Sequence, residues 1–187
     1  MGLKQLLENC FDYVLYTPLV LGEGGREFRS YKFRTMMPNA DEYLDEVVAR
    51  NGMDAFGKVY DDPRIDGPIR GFMRRYHLDH IPELMNVLKG DERWIGLRPM
   101  PRGTWDTYYP SEHKRKVLFE EQSKPGLWPA DFADPTLFRD EARFSDRILF
   151  RERYLEERRR AAVPFFVDMA YLGKGIANIV FHGFEGR

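Results

Sequence analysis

The chain has 187 residues, 43% hydrophobic and 32% charged, which fits one globular domain with enough length to bury a core. Its 29 Lys and Arg offset 30 Asp and Glu, so no global field points to nucleic acid and an anion site needs a local cluster. The single cysteine, Cys10, excludes an intramolecular disulfide and fits a reducing compartment; Met1–Asn9 does not read as a signal peptide, and no run of about 18 apolar residues is present.

Phe11–Leu21 is rich in β-branched and aromatic residues and broken by Pro18, as expected of an edge strand. Gly22-Glu23-Gly24-Gly25 is a turn, and Glu27–Arg34 alternates as the returning strand of a hairpin. The glycine cluster has no following helix to aim amides at a phosphate, so a hairpin turn is the favoured reading. Asn39-x-x-Glu42 matches a capping box and opens a helix with Tyr43, Leu44, Val47 and Val48 on one face and Gly52 as its stop. Val59–Gly71 reads as loop, and Phe72–Tyr76 as a short basic helix.

The stretch His77–Pro99 carries the densest chemistry. Asp79-His80 precedes Pro82 and an apolar helical run over Ile81–Leu88, which Gly90 ends; Trp94-Ile95-Gly96 then reads as a short strand leading to Arg98-Pro99. Asp79 has two readings on spacing alone. It is a favoured N-cap, worth about 1 kcal/mol, and it is equally a carboxylate nucleophile beside the free amides of a helix start, where an anion would settle. Basic residues flank it: Lys32, Arg34, Arg64, Arg70, Arg74, Arg75, Arg98 and Arg102. Clustered guanidinium groups suit a phosphate or carboxylate ligand, with surface ion pairing as the plainer alternative. His77 and His80 are not read as a metal site, because two histidines without further partners are usually solvated or packed.

Downstream, Ser111–Gln122 reads as a charged helix, Lys124–Pro129 as a loop, and Asp146–Val163 as a charged helix with Ile148, Leu149, Tyr154 and Leu155 inward, interrupted by Pro164. In Phe165–Phe184, Phe165, Met169, Leu172, Ile176, Ile179 and Val180 recur at three and four residues, opposite Asp168, Lys174 and Asn178. A core helix and an interfacial helix preceded by the lipid-binding cluster Arg158-Arg159-Arg160 both fit that pattern.

Five ordered motifs then carry a resemblance: Lys32-Phe33-Arg34-Thr35-Met36; Asp62-Pro63-Arg64-Ile65; Leu78-Asp79-His80-Ile81-Pro82-Glu83-Leu84 through Lys89-Gly90-Asp91; Ile95-Gly96-Leu97-Arg98-Pro99; and Lys124-Pro125-Gly126. Together they resemble the bacterial sugar transferase family, the monotopic polyprenyl-phosphate phosphoglycosyl transferases that initiate exopolysaccharide and glycan assembly. The resemblance implies an α+β fold in a single domain over residues 1–187: an N-terminal hairpin or small sheet, several helices around a phosphate-binding site, and an amphipathic tail over 164–187. It implies Asp79 as nucleophile and His80 as its catalytic neighbour. Lys32, Arg34, Arg64 and Arg98 would bind phosphate, with Asp91 as a metal ligand. The implied partners are a nucleoside-diphosphate sugar, such as a UDP-sugar, a polyprenyl phosphate and a membrane surface. Mg2+, or Mn2+, is the implied cofactor, and the implied location is peripheral at the cytoplasmic face of the inner membrane, or the cytoplasm.

Three motifs depart from the family pattern. His80 stands where the family has a metal-binding Glu, and imidazole suits Mg2+ poorly; Asp91 or Glu83 compensates, a softer metal serves, or turnover is lost and the chain is a silent homologue that binds a nucleotide sugar or a partner protein. Leu97 replaces the first Pro of Gly-Pro-Arg-Pro, and Asp91-Glu92-Arg93 replaces Asp-Met-Ser. The family also carries an apolar re-entrant helix ahead of the part matching Val14–Gly25, so residues 1–12 are expected to be an N-terminal remnant, and the chain a shortened member, a gene fragment or a form held to the membrane only by its tail.

Overall fold

Pro18 divides the N-terminal hairpin into two short antiparallel ladders, as a residue with no N–H dictates. In this computed structural model, which describes residues 13–53, 59–103, 106, 124–138 and 144–182, β1 (Leu15–Tyr16) and β2 (Leu19–Leu21) form the outgoing arm. The returning arm is β3 (Glu27–Arg29), paired with β2, and β4 (Lys32–Phe33), paired with β1. Across the break the Ser30 N–H donates to the Pro18 carbonyl at 3.0 Å. Val20 and Phe28, directly opposite each other, are both buried, so the alternation read from the sequence sets the inward face.

Beyond β4, two of the five motifs lie side by side. The Met37 N–H donates to the Arg64 carbonyl at 2.9 Å and the Asp66 N–H to the Thr35 carbonyl at 3.1 Å, around a bridge between Met36 and Ile65. The capping box at Asn39 does not form. Asn39 adopts the left-handed conformation (φ 58°) with no side-chain cap, and a 3₁₀ turn over Ala40–Tyr43 feeds α1 (Leu44–Asn51). Val47 is buried under that helix while Tyr43 is exposed, and Gly52 (φ 77°) stops it as expected. The next helix, α2 (Gly67–Arg75), begins at Gly67 rather than Phe72, with Pro68 in the first turn where no donor is needed.

His77 (φ 55°) turns the chain from α2 into a 3₁₀ helix over Leu78–Glu83, which passes into α3 (Leu84–Lys89); Gly90 (φ 78°) ends it. β5 (Arg93–Gly96) follows. Its partner is β6 (Gly126–Pro129), in parallel, where the sequence reading placed a loop. The pairing is close: a Cβ on Gly96 would stand 2.8 Å from the Gly126 nitrogen, so glycine is required for the approach. The helix expected over 111–122 lies outside the described residues.

The core joins the hairpin, β5 and the C-terminal helices: Leu21, Ile95, Leu97, Phe150, Tyr154 and Tyr171 are all buried in it. α4 (Phe144–Arg160) and α5 (Pro164–His182) close over the 3₁₀ segment Ala130–Ala133. Pro164 begins α5 instead of interrupting α4. Within α4, Phe150 takes the inward position expected of Leu149, which is exposed. Beside it, Arg147 and Arg151 are fully buried on Asp131, with Arg147 Nε at 2.6 Å from Oδ2 and Arg151 Nε at 3.0 Å from Oδ1. Burial alone would raise the Asp131 carboxyl, but the two guanidinium groups pull it down to about 2.

α5 is shared between the two readings of the tail. Its inner face packs Tyr171 and Gly175 into the protein and turns two of the expected outer polar residues inward: Asp168 accepts from Tyr154 Oη (2.8 Å) and Arg158 Nε (3.0 Å), and Asn178 donates to the Phe132 carbonyl (2.9 Å). The other face leaves Phe165, Phe166, Ile176, Val180 and Phe181 exposed. No helix among the described residues is long and apolar enough to cross a membrane.

Candidate active site

Asp79 occupies the first turn of the 3₁₀ helix Leu78–Glu83, where the left-handed turn at His77 delivers it to the inside. It is not the cap of that helix: the N-cap position belongs to His77, which makes no side-chain cap bond. The residue is 5% exposed, and its Oδ1 has no hydrogen-bond partner. A buried carboxylate oxygen with nothing to accept from is costly unless a ligand completes it.

The neighbouring imidazole is held from behind. His80 Nδ1 stands 2.9 Å from Glu83 Oε2, and His80 Nε2 faces Asp79 Oδ2 at 3.8 Å. Glu83 is almost wholly buried; Ser30 Oγ–H donates to its Oε1 at 2.8 Å and Lys32 Nζ lies 3.2 Å from the same oxygen. Burial would raise Glu83, but Lys32, His80 and Ser30 outweigh it and bring the carboxyl down to about 2. An ionised carboxylate only accepts, so Nδ1 carries the proton. Burial, then the Lys32 charge, push the imidazole below its ordinary value against the pull of Glu83 and Asp79. His80 is therefore neutral near pH 7, with a lone pair on Nε2.

Asp79 and His80 form part of the wall of a cavity of about 300 Å³. Lys32 and Arg34 reach it from β4 and the residue beyond, Arg74 from α2, and Arg98 from the segment after β5. Four cations against two carboxylates, Asp41 and Asp79, leave the lining net positive, which suits an anion. Arg34 is stacked over the Tyr16 ring, 5.4 Å from its centroid. Tyr16 donates to Asp41 Oδ2 at 3.2 Å; burial and Asp41 push its hydroxyl up to about 12, so it stays a donor.

Of the residues singled out from sequence, Asp79, His80, Lys32, Arg34 and Arg98 converge on this cavity. Arg64 does not line it. Its Nε and Nη2 clamp Asp62 at 2.8 and 2.7 Å and its Nη1 donates to the Ala40 carbonyl at 3.2 Å, so it holds the cavity wall together. Asp91 also stands outside the lining and accepts from Arg26 at 2.9 Å. Arg74, named from sequence only among the flanking basic residues, also lines the cavity, and Tyr16 and Asp41 were absent from the sequence-derived site. Nothing in their local spacing signals the site, because their places are set by chain reversals on either side of it.

The donor set differs from what Mg2+ prefers. That ion wants hard oxygen ligands; His80 offers nitrogen, both Glu83 oxygens are already engaged, and Asp91 is paired elsewhere. His77 joins the site instead: one ligand atom each from His77, Asp79 and His80 lie within 4.8 Å of one another.

Comparison with known proteins adds a family. A family model described as Bacterial sugar transferase matches residues 7–182. Galactosyl transferase CpsE of Streptococcus agalactiae serotype III (strain NEM316) is 40% identical over 110 residues, 57% of this chain and 23% of CpsE. The exopolysaccharide production protein ExoY of Rhizobium meliloti (strain 1021) is 28% identical over 175 residues, 89% of this chain and 70% of ExoY. The undecaprenyl-phosphate galactose phosphotransferase of Salmonella typhimurium (strain LT2) is 31% identical over 141 residues, 73% of this chain and 28% of that protein. The chain thus spans less than a third of CpsE and of the Salmonella protein.

Proposed function

The chain belongs to the bacterial sugar transferase family, and on that premise we propose that it moves a phosphosugar from a nucleoside-diphosphate sugar to a polyprenyl phosphate. The observation that carries the reading is Asp79, buried, with an unpartnered oxygen, on the wall of a cavity lined by four cations. In the first step Asp79 attacks the β-phosphorus. The bond from that phosphorus to the bridging oxygen breaks, and the electron pair leaves with the nucleoside monophosphate. In the second step an oxygen of the polyprenyl phosphate attacks the same phosphorus, and the Asp79 carboxylate departs as leaving group. Splitting one displacement into two is the gain of covalent catalysis.

Lys32, Arg34, Arg74 and Arg98 neutralise the diphosphate and hold it in line, the dominant contribution in phosphoryl transfer. The neutral His80 adds no charge of its own to repel or attract the incoming anion. A lipid acceptor requires a lipid surface. Exposed apolar side chains support one at two places: Ile69, Phe72, Ile81 and Leu88 around the site helices, with Leu88 80% exposed, and Phe166 and Phe181 on α5. A peripheral place at the cytoplasmic face of the membrane is the location this reading proposes.

The test is release of UMP from UDP-sugars in the presence of undecaprenyl phosphate, across Mg2+, Mn2+ and Zn2+. UMP release that Asp79→Asn abolishes is expected; no UMP under any of these conditions, or an unchanged Asp79→Asn variant, overturns the reading. His80 favours a second reading, a silent homologue that binds a nucleotide sugar or a partner protein. Activity appearing only in His80→Glu would establish it; equal activity in both forms would exclude it.

A further inference from the structure

We infer that His77, Asp79 and His80 form a binding site for a borderline divalent transition ion of the zinc or cobalt type, in place of a hard Mg2+. What the ion would do in transfer rests on the reading above; its binding does not.

Four observations converge. The three donors already lie within 4.8 Å of one another, and the pair His80 Nε2 and Asp79 Oδ2 is 3.8 Å apart. Asp79 Oδ1 is buried and without a partner, so a carboxylate in the middle of the cluster is short of the ligand its burial demands. His80 Nδ1 is fixed on Glu83, which turns the other ring nitrogen to Asp79. A carboxylate behind the histidine is the usual outer partner of a metal-bound imidazole, setting both its tautomer and its direction.

The fourth is backbone geometry. His77 is a non-glycine residue in the left-handed region (φ 55°), and this conformation sets its ring 5.2 Å from that of His80 while Phe132 meets it edge-on at 5.4 Å. Left-handed backbone is uncommon outside glycine, histidine being one of the types that enter it more readily, and such residues cluster at functional positions. Two imidazoles and one carboxylate are a set that zinc and its neighbours take, and three protein ligands leave a position for water or a phosphate oxygen. Replacing the family's Glu by His80 thus changes the class of ion and leaves a complete ligand set.

The full chain, stripped with a chelator, is titrated with Co2+ alone and followed by visible absorption. The expected result is one equivalent bound, displaced by Zn2+ and not by about a 100-fold excess of Mg2+. His80→Gln and His77→Asn, the latter chosen because Asn tolerates left-handed backbone, each lose the band while the circular dichroism melt is retained. Glu83→Gln weakens Co2+ by about 10–100-fold, as loss of an outer partner does. His80→Glu shifts the preference back toward Mg2+. If a histidine variant fails to fold, Asp79→Asn reads the same ligand set.

No Co2+ band, a band that survives both histidine substitutions, or displacement by Mg2+ as readily as by Zn2+ overturns the inference. A Co2+ complex with the expected variant pattern but no UMP release supports the metal site and counts against the transferase reading alone.

Discussion

His80 Nδ1 and Glu83 Oε2 are 2.9 Å apart, and through that contact a buried carboxylate decides which nitrogen of the imidazole faces Asp79. The same carboxylate accepts from Ser30 and balances Lys32, so one side chain holds the hairpin, the cation and the imidazole in register.

Glu83→Gln removes that control. Its amide no longer enforces an Nδ1 proton, and Lys32 loses its counter-charge. UMP release is expected to fall about 10–100-fold, the range seen when the partner behind an active-site imidazole is lost, with the change mainly in kcat. Initial rates against UDP-sugar concentration check it; an unchanged kcat would make Glu83 a purely structural group.

Asp131→Asn tests the C-terminal half. It removes the buried carboxylate that Arg147 and Arg151 share, taking an ionic partner from two fully buried guanidinium groups. Breaking a buried ion network in this way costs about 3–5 kcal/mol. Chemical denaturation should show that loss, with cavity residues unaffected in any fraction that stays folded.

Glu92 governs the pH response. It is buried, neither carboxyl oxygen has a hydrogen-bond partner, and burial, then the charges of Glu83 and Asp91, push it up to about 8 from 4.5 despite Lys32. The folded state holds the proton where the unfolded state has released it, so the contribution to stability is complete below pH 4.5 and is lost as pH rises toward about 8. Glu83 and Asp131 act in the opposite direction: their folded values of about 2 lie below the ordinary 4.5 and 3.8, so their contribution is present above those values and lost as pH falls toward 2. Thermal melts from pH 5 to 9 should therefore decline on the alkaline side, and Glu92→Gln should flatten that decline. A wild-type melt that is level from pH 5 to 8 would contradict this.

The exposed face of α5 gives the membrane prediction. Phe166→Glu with Phe181→Glu places charge on a face where both residues are exposed, Phe181 by 82%, so the melting temperature should hardly move. Flotation with vesicles containing anionic lipid should drop in the double variant. Equal flotation would move the lipid contact to the face carrying Leu88 or dismiss it.

How much of this was legible beforehand varied with the range of the interaction. Local signals read correctly: the glycine turn of the hairpin and the stops at Gly52 and Gly90. Non-local ones did not. β6 has no periodicity of its own and becomes a strand because Gly96 and Gly126 permit close parallel approach. Arg147 and Arg151 were not among the inward residues read for their charged helix, because helical patterning follows apolar side chains; only the fold brings Asp131 underneath. Asn39 failed as a cap because its backbone went left-handed into a 3₁₀ turn, which a motif of side chains does not encode. His77 looked incidental until its backbone geometry placed it beside His80.

Asn86 connects the hairpin to the site in one further way. Its side-chain amide donates to the Arg29 carbonyl at 2.7 Å and accepts from the Tyr31 N–H at 3.0 Å, as a neighbouring strand's peptide group would. That donor–acceptor pair fits a single alignment of the returning arm. A slip of one residue would turn Lys32 to the opposite face, stranding the Glu83 charge in the interior. Misaligned pairing is thus penalised twice, by a lost amide match and by an unbalanced buried charge, and the site's electrostatics act as a proofreading device for the assembly of the N-terminal arm.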